Sequence, residues 1–180
     1  LKLCEALRKQ HNFDALSVMP ANLYGPGDNF HPTKSHVLPA LIRRFYEAKE
    51  MNQEQVICWG TGSPLREFLH VDDLGSACVF ALEKWDLDSP TSPKDENGIP
   101  LSFLNIGTGS DISIKDLASL VAENFNYEGN IIWDASKPDG TPKKQLNVGR
   151  INELGWQSKI SLRNGLRDTI RLYKKLYSKK

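Results

Sequence analysis

Two histidines five residues apart, His31 and His36, stand in the stretch DNFHPTKSHVLPALIRRF at residues 28–45. Imidazole titrates near neutral pH, which suits it to take a proton from carbon or to return one. His36 lies where a helical apolar pattern begins. There the positive end of the helix dipole disfavours imidazolium and keeps a neutral ring available, an effect of about 0.3–1 kcal/mol that tunes such a role rather than creating it. On local pattern a capping or surface histidine is the plain alternative. His31 precedes Pro32 in the loop, and His70 sits inside a strand pattern, a structural position. A zinc site built on His31 and His36 needs further ligands, which the neighbouring sequence does not offer.

A second group of residues suits a polar, phosphorylated ligand. Arg43, Arg44 and Arg66 carry forked guanidinium donors that match phosphate. Trp59 precedes a glycine-rich turn, where its flat face can stack on a base or sugar, and SKPDGTPKK sets Asp139 close to two lysines. Each has a bland reading beside it: a solvated helix face for the arginines 43 and 44, the end of a core strand for Trp59. The G-T-G triplets at 60–62 and 107–109 read as turns. No strand is followed by G-x-G-x-x-G at a helix start, so the usual dinucleotide cradle is absent from this sequence.

Composition excludes several classes. Lysine plus arginine number 23 against 22 acidic residues, a balance that gives no pull toward nucleic acid or an anionic membrane. No apolar run is long enough to cross a bilayer. The three cysteines, Cys4, Cys58 and Cys78, are scattered without a C-x-x-C pair, which argues against a disulfide framework or a zinc site and favours a reducing cytosol.

The elements that must carry these residues follow from periodicity. Leu3 and Leu7 have helical spacing. ALSVM at 15–19 reads as a buried strand ended by Pro20, and Val37, Leu38, Leu41, Ile42 and Phe45 predict a helix over 36–49. QVICW at 55–59 and REFLHV at 66–71 read as strands, with Asp72 as cap of a helix striped by Leu74, Cys78, Leu82 and Trp85. Residues 86–100 form a polar loop, LSFLNIG a strand, and Ser113 with Asp116 a capping-box pattern before Leu117, Leu120, Val121 and Phe125. NIIW at 130–133 is a strand, an irregular polar excursion follows, and a last helix from about Ser161 carries Leu162, Leu166, Ile170, Tyr173 and Tyr177, with lysines toward its C-terminal end. Strands alternate with helices, the pattern of an α/β fold.

Taken together, SVMPANLYGPGDNFHP, SHVLPALIRRF, WGTGSPLREFLHVDDL, NIGTG and DASKPDGTPKK closely resemble the GDP-L-fucose synthases, members of the extended short-chain dehydrogenases. The resemblance covers nearly the whole chain apart from the 86–100 loop. It implies a Rossmann-type fold with a smaller α/β substrate domain, 3,5-epimerisation and NADPH-dependent 4-reduction of GDP-4-keto-6-deoxy-D-mannose to GDP-L-fucose, a homodimer when intact, and a cytoplasmic setting. The family's glycine-rich fingerprint and its Ser and Tyr-x-x-x-Lys groups have no counterpart here. The expectation is therefore a C-terminal portion, partnered by an N-terminal half that holds most of the NADP(H) site. Residues 1–35 would be a remnant of the Rossmann domain, and 36–180 mainly the substrate domain, with about 66–85 returning to the Rossmann sheet. The resemblance assigns His36 an acid/base role in epimerisation. It places Pro20, Ala21, Asn22, Leu23 and His36 at the cofactor's nicotinamide end, and Arg44, Trp59, Arg66 and Asp139 on the GDP-sugar. Another nucleotide-sugar epimerase or dehydratase, or a non-catalytic sugar-nucleotide module, are the rival readings.

Overall fold

A computed structural model describes residues 1–177. In chain order its elements are α1 (Lys2–His11), β1 (Ser17–Pro20), β2 (Asn22–Tyr24), α2 (Val37–Glu50), β3 (Gln55–Trp59), β4 (Leu65–Arg66), β5 (Phe68–His70), α3 (Val71–Lys84), β6 (Phe103–Ile106), β7 (Ile112–Ser113), α4 (Ile114–Asn124), β8 (Asn130–Asp134), β9 (Lys143–Lys144), α5 (Gly149–Leu154) and α6 (Leu162–Tyr177). Three parallel pairs, β1 with β6, β2 with β5 and β3 with β8, form the main strand contacts. A small three-stranded sheet places β4 between antiparallel β7 and parallel β9.

Two apolar clusters hold these elements together. In the first, Leu38, Leu41, Ile42 and Phe45 of α2 meet Leu117 and Val121 of α4 and Leu166, Ile170 and Tyr173 of α6. Burying each such side chain is worth about 1.5–3 kcal/mol. In the second, Ala77 and Ala81 of α3 pack with Leu69, Leu104, Ile106, Ile151 and Trp156, joined by the half-buried Val18 and Leu23. Residues 16–23 thus share this cluster with β5, α3, β6 and α5.

Most helices agree with the periodicity, and the departures have physical reasons. REFLHV is not one strand: β4 ends at Arg66, β5 starts at Phe68 and Val71 already belongs to α3. The break falls at Glu67, whose side chain turns inward to backbone amides instead of continuing one ladder. The cap of α3 is His70, not Asp72; its Nδ1 accepts the Asp72 N–H at 3.2 Å while the Asp72 side chain lies exposed. The buried positions of α3 are Asp73, Ala77 and Ala81; of the expected stripe, Trp85 is buried and Leu74 packs at the edge of the same cluster, whereas Leu82 is 76% exposed. A charged residue and two small ones hid that face, because Asp73 is buried only by accepting the N–H groups of Lys159 and Ile160. β1 is half-exposed rather than buried and extends through Pro20, with Met19 open to solvent. The 86–100 loop buries Leu87 and Ser92, whose hydroxyl accepts the Trp85 indole N–H at 3.3 Å. The polar excursion contains β9 and α5, both too short to show a period. Ser113 does cap α4, accepting from the Asp116 N–H at 3.0 Å. Lys179 and Lys180, part of the predicted basic end of α6, lie outside the described residues. No helix among the described residues is long and apolar enough to cross a membrane.

Candidate functional site

The small sheet is the centre of the site. In its register Arg66 lies opposite Ile112 on one side and Lys144 on the other, so parallel pairing makes two basic residues neighbours across the strands. The half-buried Arg66 guanidinium donates to the carbonyl of Leu65 at 2.7 Å, which folds it back along its own strand. No Arg66–Glu67 ion pair exists, since the Glu67 carboxylate is occupied elsewhere.

Beside Arg66 opens a cleft of about 190 Å3, lined by Val37, Trp59, Pro64, Arg66, Asp139 and Gly140 among others. Three side chains singled out from sequence, Trp59, Arg66 and Asp139, therefore meet here, and Arg44 adjoins them. Trp59 ends β3 with 63% of its surface exposed, and the Arg44 guanidinium sits 5.5 Å from its ring centroid. Arg44 is fixed there by donating to the Ile57 carbonyl at 3.0 Å. The Lys137 ammonium lies 5.9 Å from the same ring. Cation–π attraction of this kind is worth about 0.5–1 kcal/mol at an exposed site and keeps an indole in place for stacking.

Asp139 closes the first G-T-G turn. One carboxylate oxygen accepts the Thr61 N–H at 2.9 Å and the other accepts the Thr61 hydroxyl at 2.6 Å. Gly60, at φ +78°, has to be glycine: a Cβ there would lie 2.2 Å from the Asp139 carboxylate. The hydroxyl and amide of Thr61 hold the Asp139 carboxyl below the ordinary aspartate range. A depressed folded-state value means the clasp is fully formed above the ordinary aspartate pKa and opens only as pH falls through the lower one. An NMR titration of the Asp139 carboxyl carbon is thus expected to give a midpoint below the ordinary value, and Thr61→Val is expected to move it upward. An unmoved midpoint in the variant would disprove the clasp.

The other predicted residues are placed as follows. His36 is the exposed N-cap residue of α2, its ring uncommitted to the helix amides, next to Val37 of the cleft. Burial pushes the nearby Asp28 carboxyl up, opposed by the Asn29 N–H and the charge of His36. His31 accepts the Thr33 N–H at 3.2 Å within its loop, and His70 is a buried cap. Arg43 is not free for phosphate; it pairs with Glu47 at 2.6 Å, facing a separate cavity of about 650 Å3 behind α2. Pro20 ends β1, Ala21 joins it to β2, and Asn22 and Leu23 open β2; Ala21 donates to the Ile106 carbonyl, and the backbone and side-chain amides of Asn22 both donate to the Glu67 carbonyl. These residues lie at the carboxyl end of β1, where open α/β sheets place ligands. Both G-T-G turns are already filled, 60–62 by Asp139 and 107–109 by Glu67. Neither leaves an open cradle for a dinucleotide pyrophosphate. Residue type alone gives Glu67, Lys137 and Lys144 no particular place in the site: Glu67 reads as a surface partner for Arg66, and the lysines only as neighbours of Asp139. An acid inside the apolar run EFLHV is a signal, because a buried carboxylate needs donors, but the donors lie in distant segments.

Parallel strand pairs flanked by helices define a Rossmann-type α/β architecture. The chain belongs to the NAD dependent epimerase/dehydratase family, whose family model matches residues 1–92. It is 52% identical over 97% of its length to GDP-L-fucose synthase 1 of Arabidopsis thaliana, covering 50% of that protein. A GDP-6-OMe-4-keto-L-xylo-heptose reductase from C. jejuni superposes with a TM-score of 0.83 at 32% identity, over 97% of this chain and 58% of the other. The GDP-L-fucose synthetase of Naegleria fowleri bound to NADP superposes with a TM-score of 0.79 at 25% identity, over 97% of this chain and 51% of that one. The chain spans about half the length of the curated relatives it matches.

Proposed function

We propose that this chain is the C-terminal, substrate-binding part of a GDP-L-fucose synthase. That enzyme converts GDP-4-keto-6-deoxy-D-mannose to GDP-L-fucose by 3,5-epimerisation and reduction at C4. The observation that carries the reading is the 52% identity over nearly the whole chain to a protein of that name, combined with a cleft that brings Trp59 and Arg66 together, with Arg44 on the Trp59 ring and Lys144 in register with Arg66. In this reading residues 1–35 complete the dinucleotide-binding domain and most of 36–180 forms the substrate domain. NADP(H) is held mainly by an N-terminal half, with Pro20, Ala21, Asn22, Leu23 and His36 at its nicotinamide end, and when bound it supplies the hydride for C4. His36 exchanges protons at carbons 3 and 5, both acidified by the adjacent C4 ketone. Arg66 and Lys144 neutralise the diphosphate, Trp59 stacks with the nucleotide-sugar, and Arg44 and Asp139 hold the cleft around it.

The test is nucleotide binding by the full-length enzyme. A charge-assisted contact to phosphate is worth about 1.5–3 kcal/mol, so Arg66→Ala is expected to weaken GDP-sugar binding roughly ten- to a hundredfold with little change in Tm. Arg66→Lys should recover part of the loss, keeping charge without the forked geometry. Equal or tighter binding of UDP- or dTDP-sugars by the unmodified enzyme would replace this reading with another nucleotide-sugar enzyme of the same family.

A further inference from the structure

Glu67 is 1% exposed and lies one residue beyond Arg66. Its Oε1 accepts the N–H groups of Thr108 at 2.6 Å and Gly109 at 2.8 Å, and its Oε2 accepts the N–H of Leu146 at 2.7 Å. The Thr108 hydroxyl approaches Oε1 at 3.4 Å. These donors have a particular distribution. Thr108 and Gly109 lead into β7, and Leu146 follows β9, the two strands that flank β4. One carboxylate therefore ties together both neighbours of the strand that carries Arg66. The Glu67 backbone adds to this: its N–H donates to the Lys144 carbonyl at 3.3 Å, and its own carbonyl accepts from the backbone and side-chain amides of Asn22. Space around the carboxylate is full, since a Cβ on Gly107 would lie 2.2 Å from Oε1.

β4, β7 and β9 have two residues each, too few for ladder hydrogen bonds alone to fix their spacing. Charge-assisted bonds to a buried carboxylate are roughly twice as strong as neutral ones and set geometry as well as energy. We infer that Glu67 is a positioning residue for the anion site: by clamping β7 and β9 to β4 it fixes the distance between Arg66 and Lys144, and with it the affinity for a nucleoside diphosphate. This inference rests on the proposed role of Arg66 and Lys144 at the diphosphate. A glutamine at this position keeps the volume but turns an NH2 toward at least one backbone N–H, so one arm of the clamp opens while the fold stays filled.

The experiment is calorimetric titration of GDP into the full-length enzyme and its Glu67→Gln variant, with NADPH titrated in parallel. GDP affinity is expected to fall about tenfold and KM for the GDP-sugar to rise likewise, kcat to fall less than threefold, and NADPH affinity to stay within twofold. Lys144→Ala is expected to weaken GDP binding clearly in the wild-type background and much less in the Glu67→Gln background, because the two changes damage one arrangement. Unchanged GDP affinity in Glu67→Gln, or full additivity with Lys144→Ala, would overturn the inference while leaving the proposed function intact. Failure of the unmodified enzyme to bind any nucleoside diphosphate would overturn both. Should Glu67→Gln not fold, Glu67→Asp, which keeps the charge on a shorter arm, is expected to show the same selective loss of GDP affinity; unfolding of both variants would assign Glu67 to folding alone.

Discussion

Replacing His36 by asparagine in the full-length enzyme is expected to slow the entry of solvent deuterium at carbons 3 and 5 of the GDP-sugar by about 10²–10⁴-fold, the usual contribution of a positioned acid or base. Affinity for the GDP-sugar is expected to stay within a few fold. Asparagine is the informative choice because His36 is the N-cap residue of α2, and asparagine is among the best residues there. Helix α2 is thus retained, and a loss of exchange reports lost proton transfer rather than unfolding. The His36 ring makes no cap hydrogen bond to the helix, so its removal orphans no helix amide. NMR detection of deuterium at the two carbons separates epimerisation from reduction at C4. Exchange at the wild-type rate in the variant would end the assignment of His36.

The second large effect is on stability. Phe45 is fully buried in α2, one residue after Arg44, and its ring meets Tyr127 edge-on with centroids 5.4 Å apart. Phe45→Ala is expected to cost about 3–5 kcal/mol, the transfer term of the lost ring plus the cavity that the surrounding helices cannot close. For a chain of this size each kcal/mol lowers Tm by roughly 2–4 °C, so thermal unfolding reads the change directly. Binding of the GDP-sugar is expected to fall with it, because α2 carries Arg44 beside Trp59. A cost below about 1 kcal/mol would mean that the contact among α2, α4 and α6 is not the principal core.

Periodicity revealed α2, α4 and α6 because each buries branched or aromatic side chains at helical spacing, and it found only part of the inner face of α3 for want of them. There Ala77 and Ala81 are small and Asp73 is charged, so these buried positions carried no stripe of large apolar side chains. Local turn chemistry revealed the capping serine of α4 and the glycine turns, but not what fills those turns. The site followed the same division. Trp59, Arg66 and Asp139 could be suspected singly from residue type, and the structure brings them to one cleft with Arg44 beside it. The neighbour relation of Arg66 and Lys144 depends on the register of two short strands far apart in sequence, which no local pattern encodes. Glu67 was hidden for a related reason, since its donors come from residues 108, 109 and 146.

The strand pairings also bear on how fast this arrangement can be reached. Residues 17–20 pair with 103–106, 22–24 with 68–70, and 55–59 with 130–134, all in parallel. Every one of these ladders closes a long stretch of chain before it gains a hydrogen bond, so loop entropy is lost first and recovered late. Chains dominated by such high-contact-order pairings fold in milliseconds to seconds rather than microseconds. The helices can form early from local sequence, whereas Trp59, Arg66 and Asp139 come together only when the last of the distant strands has docked. During that interval the strand edges are unpaired, and a newly made chain is then most open to association with its own copies.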